Sequence, residues 1–251
     1  MHNLSKELKQ MARNQLSGKY GTFIGAYLLY LLTSLLSTNI FDMIFGGSVL
    51  NPFTITAAAI TGETIRQTVI YHVATFILSL ILSVFNIGLL KISLDIARGY
   101  PIHLQDILYG FHHHPDRAIL AQLLLSLLMD VCILPGYLMI IYGYRTSVIV
   151  WLLVGSLLLL AGAILYLVLS LMFSQTMYFL TDYIDIDTRQ AFKESIRLMK
   201  GKKRSFLYLQ MSFLGIYLLG SMACGIGILW VIPYMHVTLT NFYRKATGEI
   251  D

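Results

Sequence analysis

The chain has 251 residues, 57% of them hydrophobic and 12% charged, against about 25% charged residues in a soluble domain. Mean hydropathy is +0.70, and several apolar stretches exceed the roughly 18 residues that mark a membrane span. A water-soluble fold of this composition would expose large apolar patches; that class is excluded, as are disordered, collagen-like and disulfide-scaffold proteins. The two cysteines, Cys132 and Cys224, lie in apolar runs and indicate neither a disulfide framework nor a zinc cluster.

The predicted fold class is an all-α polytopic transmembrane helix bundle of about six spans, with five as the alternative, in a single membrane domain over residues 1–251. In chain order, residues 1–20 predict an interfacial helix, with Leu4, Leu8, Met11, Ala12 and Leu16 at helical spacing and Lys6, Lys9 and Arg13 on the other side. Spans follow at about 22–45, 68–90, 118–142 and 147–173. Between the fourth and fifth, residues 187–201 predict a second cytoplasmic amphipathic helix. Asp187 and Gln190 fit an N-cap and its N3 partner, Phe192, Ile196 and Met199 form an apolar stripe, and Gly201 fits a C-cap. The last apolar region, 206–243, has 38 residues, too many for one perpendicular helix of about 20. Gly225-Ile226-Gly227 and Pro233 interrupt it, predicting spans of about 206–224 and 228–243.

Charge placement sets the expected orientation. Alternating sides puts 14 basic residues inside and 2 outside, which by the positive-inside rule places the N-terminus in the cytoplasm. Arg244 and Lys245 make this 16 against 2 with six spans, or 14 against 4 with five; both fit, and six is favoured. The polar leader is long for a signal-peptide n-region and no cleavage site follows it, so the first span is expected to stay in the membrane. The expected location is the cell membrane, multi-pass. Phe23 to Leu29 and Phe213 to Leu219 share the pattern F-x-G-x-Y-L-L, an echo that a Leu-rich chain also produces by coincidence.

Chemistry-bearing residues are few. Asp130 stands near the middle of the third span, where an acid costs about 2.5–3.5 kcal/mol on insertion scales. Its candidate partners are Asn86, Gln122 and Gln175, and the group forms a candidate intramembrane polar site, either a proton, cation or substrate contact or a structural hydrogen bond. Pro135-Gly136 follows shortly after and predicts a kink. His103, His112, His113 and His114 with Asp106 and Asp116 lack a metal-binding i, i+4 pair, and Asp182, Asp185 and Asp187 lack the rest of a calcium loop. No P-loop or Gly-x-Ser-x-Gly signature occurs. No catalytic residue, metal or cofactor is therefore expected, and no nucleic-acid partner. The expected partners are anionic lipid headgroups, met by Lys200, Lys202, Lys203 and Arg204 with Lys6, Lys9 and Arg13, and, as a second class, another membrane protein.

A family resemblance attaches to several segments. Leu94-Asp95-Ile96-Ala97-Arg98-Gly99 followed by Asp106-Ile107-Leu108-Tyr109-Gly110-Phe111 is one. Ala191 to Ser195, Leu198 to Lys203, Leu209 to Leu214, Gly225 to Tyr234 and Phe242-Tyr243 form the other, and Gly18-Lys19-Tyr20-Gly21 also fits. These resemble the bacterial membrane family called domain of unknown function 975, common in Gram-positive organisms. An Ile-Pro-Gly usual in that family has two candidate counterparts here, Leu160-Ala161-Gly162 and Leu134-Pro135-Gly136. The resemblance implies fold and location and carries over no catalytic residue. The expected function is that of a non-enzymatic lipid- or partner-binding accessory of the cell envelope. The alternative is a small transporter or channel using Asp130 in a kinked-helix cavity.

Overall fold

Where a long segment is apolar, its backbone N–H and C=O groups must bond within the segment, and helices result. The structure is a computed structural model describing residues 2–45, 62–222, 225 and 227–250; it is all-α, with no strand among those residues. The first helices are α1 (His2–Gln15), α2 (Tyr20–Phe45) and α3 (Gly62–Arg98). A 3-10 turn, Leu104–Leu108, leads to a short α4 (Tyr109–His112), then α5 (Pro115–Thr146) and α6 (Ile149–Phe173). The remainder is α7 (Thr176–Asp182), α8 (Thr188–Met199), α9 (Lys203–Met211), α10 (Leu214–Met222) and α11 (Ile228–Thr247). Among the described residues, five segments are long and apolar enough to cross a membrane: Tyr20–Ile44, Gly62–Arg98, Pro115–Thr146, Ile149–Asp182 and Lys203–Met222. The chain is a multi-pass membrane protein.

The helices overlap the expected spans and differ in instructive places: the expected sixth span, 228–243, falls in α11, which is not among these five segments. With 37 residues, α3 is about 55 Å long at 1.5 Å per residue, well beyond the ~30 Å hydrocarbon core. Its last turns carry Lys91, Asp95 and Arg98 past the expected end near residue 90. The expected fifth span is divided at Ser212-Phe213 into α9 and α10. Of the two expected interruptions after it, the glycine pair separates helices, with Gly225 at φ +78°. Pro233 instead sits inside α11, as Pro135 sits inside α5; each removes one backbone bond without ending its helix. The expected span end at Cys224, and Ile226, lie outside the described residues. Asp187 occupies the N-cap position of α8 with extended backbone, but its side chain makes no capping bond. Gly201 follows α8 at φ +79°, the left-handed conformation of a helix-ending glycine.

The chain divides into two compact units. The first comprises 1–32, 83–121 and 171–251, the second 33–82 and 122–170. In the first, α11 is the buried element: Val231, Ile232, Val237, Thr238, Thr240, Asn241, Phe242 and Tyr243 are all enclosed. Burial within protein leaves the polar residues of this helix to bond within it and to its neighbours. Thr238 and Thr240 bond back to the Tyr234 and His236 carbonyls, and Asn241 Nδ2 donates to Gln15 Oε1 at 2.7 Å. The apolar face of α1, with Leu8, Ala12 and Leu16 fully buried, lies in the clusters that hold Ile232, Val237 and Phe242 of α11. Both echoed phenylalanines are buried against α11, Phe23 beside His236 and Phe213 beside Tyr234. Lys202 Nζ donates to the Ala246 carbonyl at 2.7 Å, while Gly220 meets Gly227. The chain therefore leaves along α9 and α10 and returns antiparallel along α11.

The second unit is dominated by an α5–α6 hairpin with a glycine seam. A Cβ at Gly136 would lie 2.6 Å from Leu159 N, one at Gly143 2.9 Å from Leu152 N, and one at Gly155 2.8 Å from Ile140 N. One at Gly162 would overlap the Cys132 carbonyl oxygen. Partners fall on one helix as they rise on the other, and the glycines recur at intervals of seven residues on each. Small residues let helix backbones approach in this way where no hydrophobic effect drives association in lipid.

Candidate functional site

The first unit gathers its charged residues into a clasp. Arg98, at the end of α3, donates to both carboxylate oxygens of Asp182, Nη1 to Oδ1 at 2.6 Å and Nη2 to Oδ2 at 3.0 Å. It also reaches Glu249, Nε to Oε1 at 3.0 Å and Nη2 to Oε2 at 2.7 Å. Arg244 Nε donates to Glu249 Oε1 at 2.8 Å, and its Nη1 bonds the Ala97 carbonyl. Tyr243 donates its hydroxyl to Asp182 at 3.1 Å, and Gln15 Nε2 donates to the Ala97 carbonyl at 2.9 Å. Such bidentate guanidinium–carboxylate bonds are among the stronger and more directional polar contacts. The clasp joins the ends of α3, α7 and α11 to α1. Outside the clasp, Arg117 bonds the Ile184 and Ile186 carbonyls, Lys202 the Ala246 carbonyl, and Lys245 pairs with Glu7.

The clasp has a pH signature. Hydrogen bonds from Arg98 first, and then from Arg244, hold the Glu249 carboxyl down at about 2 against an ordinary 4.5. A depressed folded-state pKa contributes stability that is present above the unfolded value near 4.5 and lost as pH falls through about 2. In detergent, the melting temperature of the parent protein is therefore expected to fall more steeply between pH 5 and pH 2 than that of Glu249→Gln. Parallel curves would show that the carboxylate is not held in this way.

A second charged feature lies at the α8–α9 junction, also within the first unit. An open cavity of about 870 Å³ is lined by Met172, Lys193, Ile196, Arg197, Lys200, Gly201, Lys203 and Arg204. Lys193 and Arg197 stand one turn apart (i, i+4) on α8, a like-charged pair that costs about 0.2–0.5 kcal/mol, and Lys200 follows at the C-cap with extended backbone. Lys203 and Arg204 open α9, whose first turn has no acidic residue. Cations at a helix N-terminus oppose its dipole by about 0.3–1 kcal/mol each. Glu194 approaches Arg197 at 3.6 Å; no carboxylate is among the lining residues. Apart from Glu194 beside Arg197, no carboxylate pairs with these five cations among the described residues.

Of the seven expected headgroup contacts, the structure brings Lys200, Lys203 and Arg204 together at this cavity. Lys202 is turned to α11 through its bond to Ala246. Lys9 donates to the Ser212 carbonyl at 3.0 Å and lies 4.3 Å from the Phe213 ring centroid, and burial pulls its pKa below the ordinary value. Lys6 is exposed, and Arg13 lines a smaller cavity with Tyr20, Ile216, Trp230, Val231 and Tyr234. Lys193 and Arg197 were not among the expected contacts. Their spacing on α8 was available in the sequence, but the convergence of α8 and α9 around Gly201 was not.

The expected intramembrane polar group is distributed differently. In the second unit, Asp130 faces His72 of α3, Oδ1 to Nε2 at 3.4 Å, a histidine with no acidic neighbour in sequence. Gln122 Nε2 donates to Ser126 Oγ at 3.1 Å. In the first unit Asn86 is half-buried on α3, and Gln175 is fully buried at the α6–α7 step. Gln175 donates its backbone N–H to Ser195 Oγ at 3.2 Å and its Nε2 to Ser174 Oγ. Its Oε1 has no hydrogen-bond partner among the described residues. Among the histidines of the second loop, His112 and His113 each hold a ring nitrogen against a carbonyl one turn back.

A family model described as "protein of unknown function (DUF975)" matches residues 1–249. The chain belongs to this family. No curated protein and no solved structure matches it. The segments by which the family is recognised now have physical roles. Asp95 pairs with Lys91 at 2.8 Å, Arg98 is the centre of the clasp, and Gly99 turns the chain at φ +82°. Asp106 caps the His103 N–H at 2.7 Å, and Gly110 lets α4 meet the Val84 carbonyl of α3. Ser195 donates to the Met172 carbonyl at 2.8 Å, tying α8 to the end of α6.

Proposed function

We propose that this DUF975 member is a cell-membrane protein with a cytoplasmic N-terminus that catalyses no reaction and acts by engaging anionic lipid headgroups, as an accessory to other envelope components. The observation that supports this is the α8–α9 cavity: five cations around an open space, no lining carboxylate, and the end of the α6 span beside it at Met172. Clusters of Lys and Arg next to a membrane span attract anionic lipid by about 1 kcal/mol per residue near the surface. The test is lipid retention. Protein is reconstituted with equal phosphatidylcholine and phosphatidylglycerol, extracted mildly, and its bound lipid counted by native mass spectrometry.

Phosphatidylglycerol is expected to be enriched, and the enrichment to weaken with salt. Changing Lys200, Lys202, Lys203 and Arg204 together to Gln should reduce it about tenfold or more. Lys202→Gln alone should do little, because that ammonium bonds Ala246. Unchanged retention in the quadruple variant would overturn the reading. The His72–Asp130 pair favours a second reading, proton or cation passage through the second unit. In the same vesicles, proton uptake abolished by Asp130→Asn would put that reading first.

A further inference from the structure

The α8–α9 cavity has features that a diffuse attraction to a charged bilayer does not require. Two cations, Lys193 and Arg197, stand one turn apart on α8, Lys200 follows at its C-cap, and two more, Lys203 and Arg204, approach from the first turn of α9 across Gly201. At about 870 Å³ the space falls in the range of sites that hold one ligand molecule. The first backbone N–H groups of α9 have no partner within the helix, and N–H groups so placed favour phosphate oxygens. Lys193, Lys200, Lys203 and Arg204 have no acidic partner among the described residues. A single phosphodiester, with one negative charge, would leave most of this positive charge unopposed. Met172, where the apolar run of α6 ends, gives the cavity an apolar wall suited to the glycerol and first acyl carbons of a lipid.

We infer that the α8–α9 cavity binds one molecule of a lipid whose headgroup carries two or more phosphate charges. The inference rests on the headgroup reading above and narrows it to a ligand class and a stoichiometry.

The experiment titrates the full chain in detergent with diphosphatidylglycerol or phosphatidylglycerol at equal phosphate, and in a third arm with inorganic pyrophosphate, followed by native mass spectrometry. One diphosphatidylglycerol is expected per chain, held at least tenfold more tightly than phosphatidylglycerol. That preference should disappear in Lys203→Gln/Arg204→Gln and survive in Lys203→Arg, with melting temperatures unchanged in both. Equal retention of the two lipids per phosphate would overturn the inference and leave the headgroup reading standing. Retention of neither would remove both. Pyrophosphate that binds as tightly as the lipid would assign the site to a soluble ligand and overturn the commitment to a membrane one.

Discussion

Gly162→Ala is expected to lower the melting temperature by about 6–12 °C. The new methyl would occupy the space of the Cys132 carbonyl oxygen, and the obstacle is backbone in the middle of α5, which cannot rotate aside as a side chain can. Overpacking of this kind typically costs about 1–3 kcal/mol, and a rigid backbone neighbour places this substitution at the upper end. At about 2–4 °C per kcal/mol for a chain of this size, the shift follows. The control is Gly215→Ala on α10, where an added Cβ meets nothing within 4 Å; there the helix propensity of alanine leaves stability unchanged or raises it by up to about 1 kcal/mol. Thermal unfolding followed by Trp151 fluorescence reads both. If the two variants melt together, α5 and α6 do not approach at this register.

Arg98→Ala should be the most damaging change in the first unit. It leaves Asp182, with a side chain 13% exposed, and Glu249, at 31%, without the guanidinium that joins them. Removing one partner of a buried pair costs about 3–5 kcal/mol; the partial exposure of these groups brings the expectation to about 2–4 kcal/mol. Arg98→Lys should recover little, because one ammonium cannot reproduce paired bonds to two carboxylates. Tyr243→Phe, which deletes a single hydrogen bond to Asp182, is expected to cost about 1 kcal/mol. Hydrogen exchange supplies the readout specific to the clasp: protection over residues 241–249 should fall in Arg98→Ala and stay in Tyr243→Phe. Unaltered protection in Arg98→Ala would mean that other contacts hold this segment.

Hydropathy made the helices legible and left their contacts hidden. The apolar runs overlap each candidate span, but α3 and the Ile149–Asp182 segment run past their expected ends and the expected span 228–243 is not among the candidates. In α3, Lys91, Asp95 and Arg98 look like the start of a loop yet continue as helix, because their charges are satisfied by each other and by α7 and the 244–249 segment. Pro135-Gly136 read as a kink, and Gly162 as a displaced motif. Their common role as members of one seam depends on the α5–α6 register, which no spacing within a single helix discloses. Asp130 stood out as costly, but its partner was sought among amides, since an acid–imidazole pair across two helices leaves no mark in either. The basic cluster was readable as charge. That Lys202 faces α11 while Lys193 and Arg197 face the cavity depends on the turn at Gly201.

The packing of α1 against α11 constrains the order in which the protein can be made. Gln15 waits for Asn241, and Glu7 for Lys245, so α1 finds its seat only after α11 has been translated. Until then the clusters that hold Leu8, Ala12 and Leu16 lack Ile232, Val237 and Phe242, and the membrane interface is the nearest substitute. Contacts this distant in sequence close slowly, which makes the interval before α11 arrives the period in which the nascent chain is most open to proteolysis and mispairing.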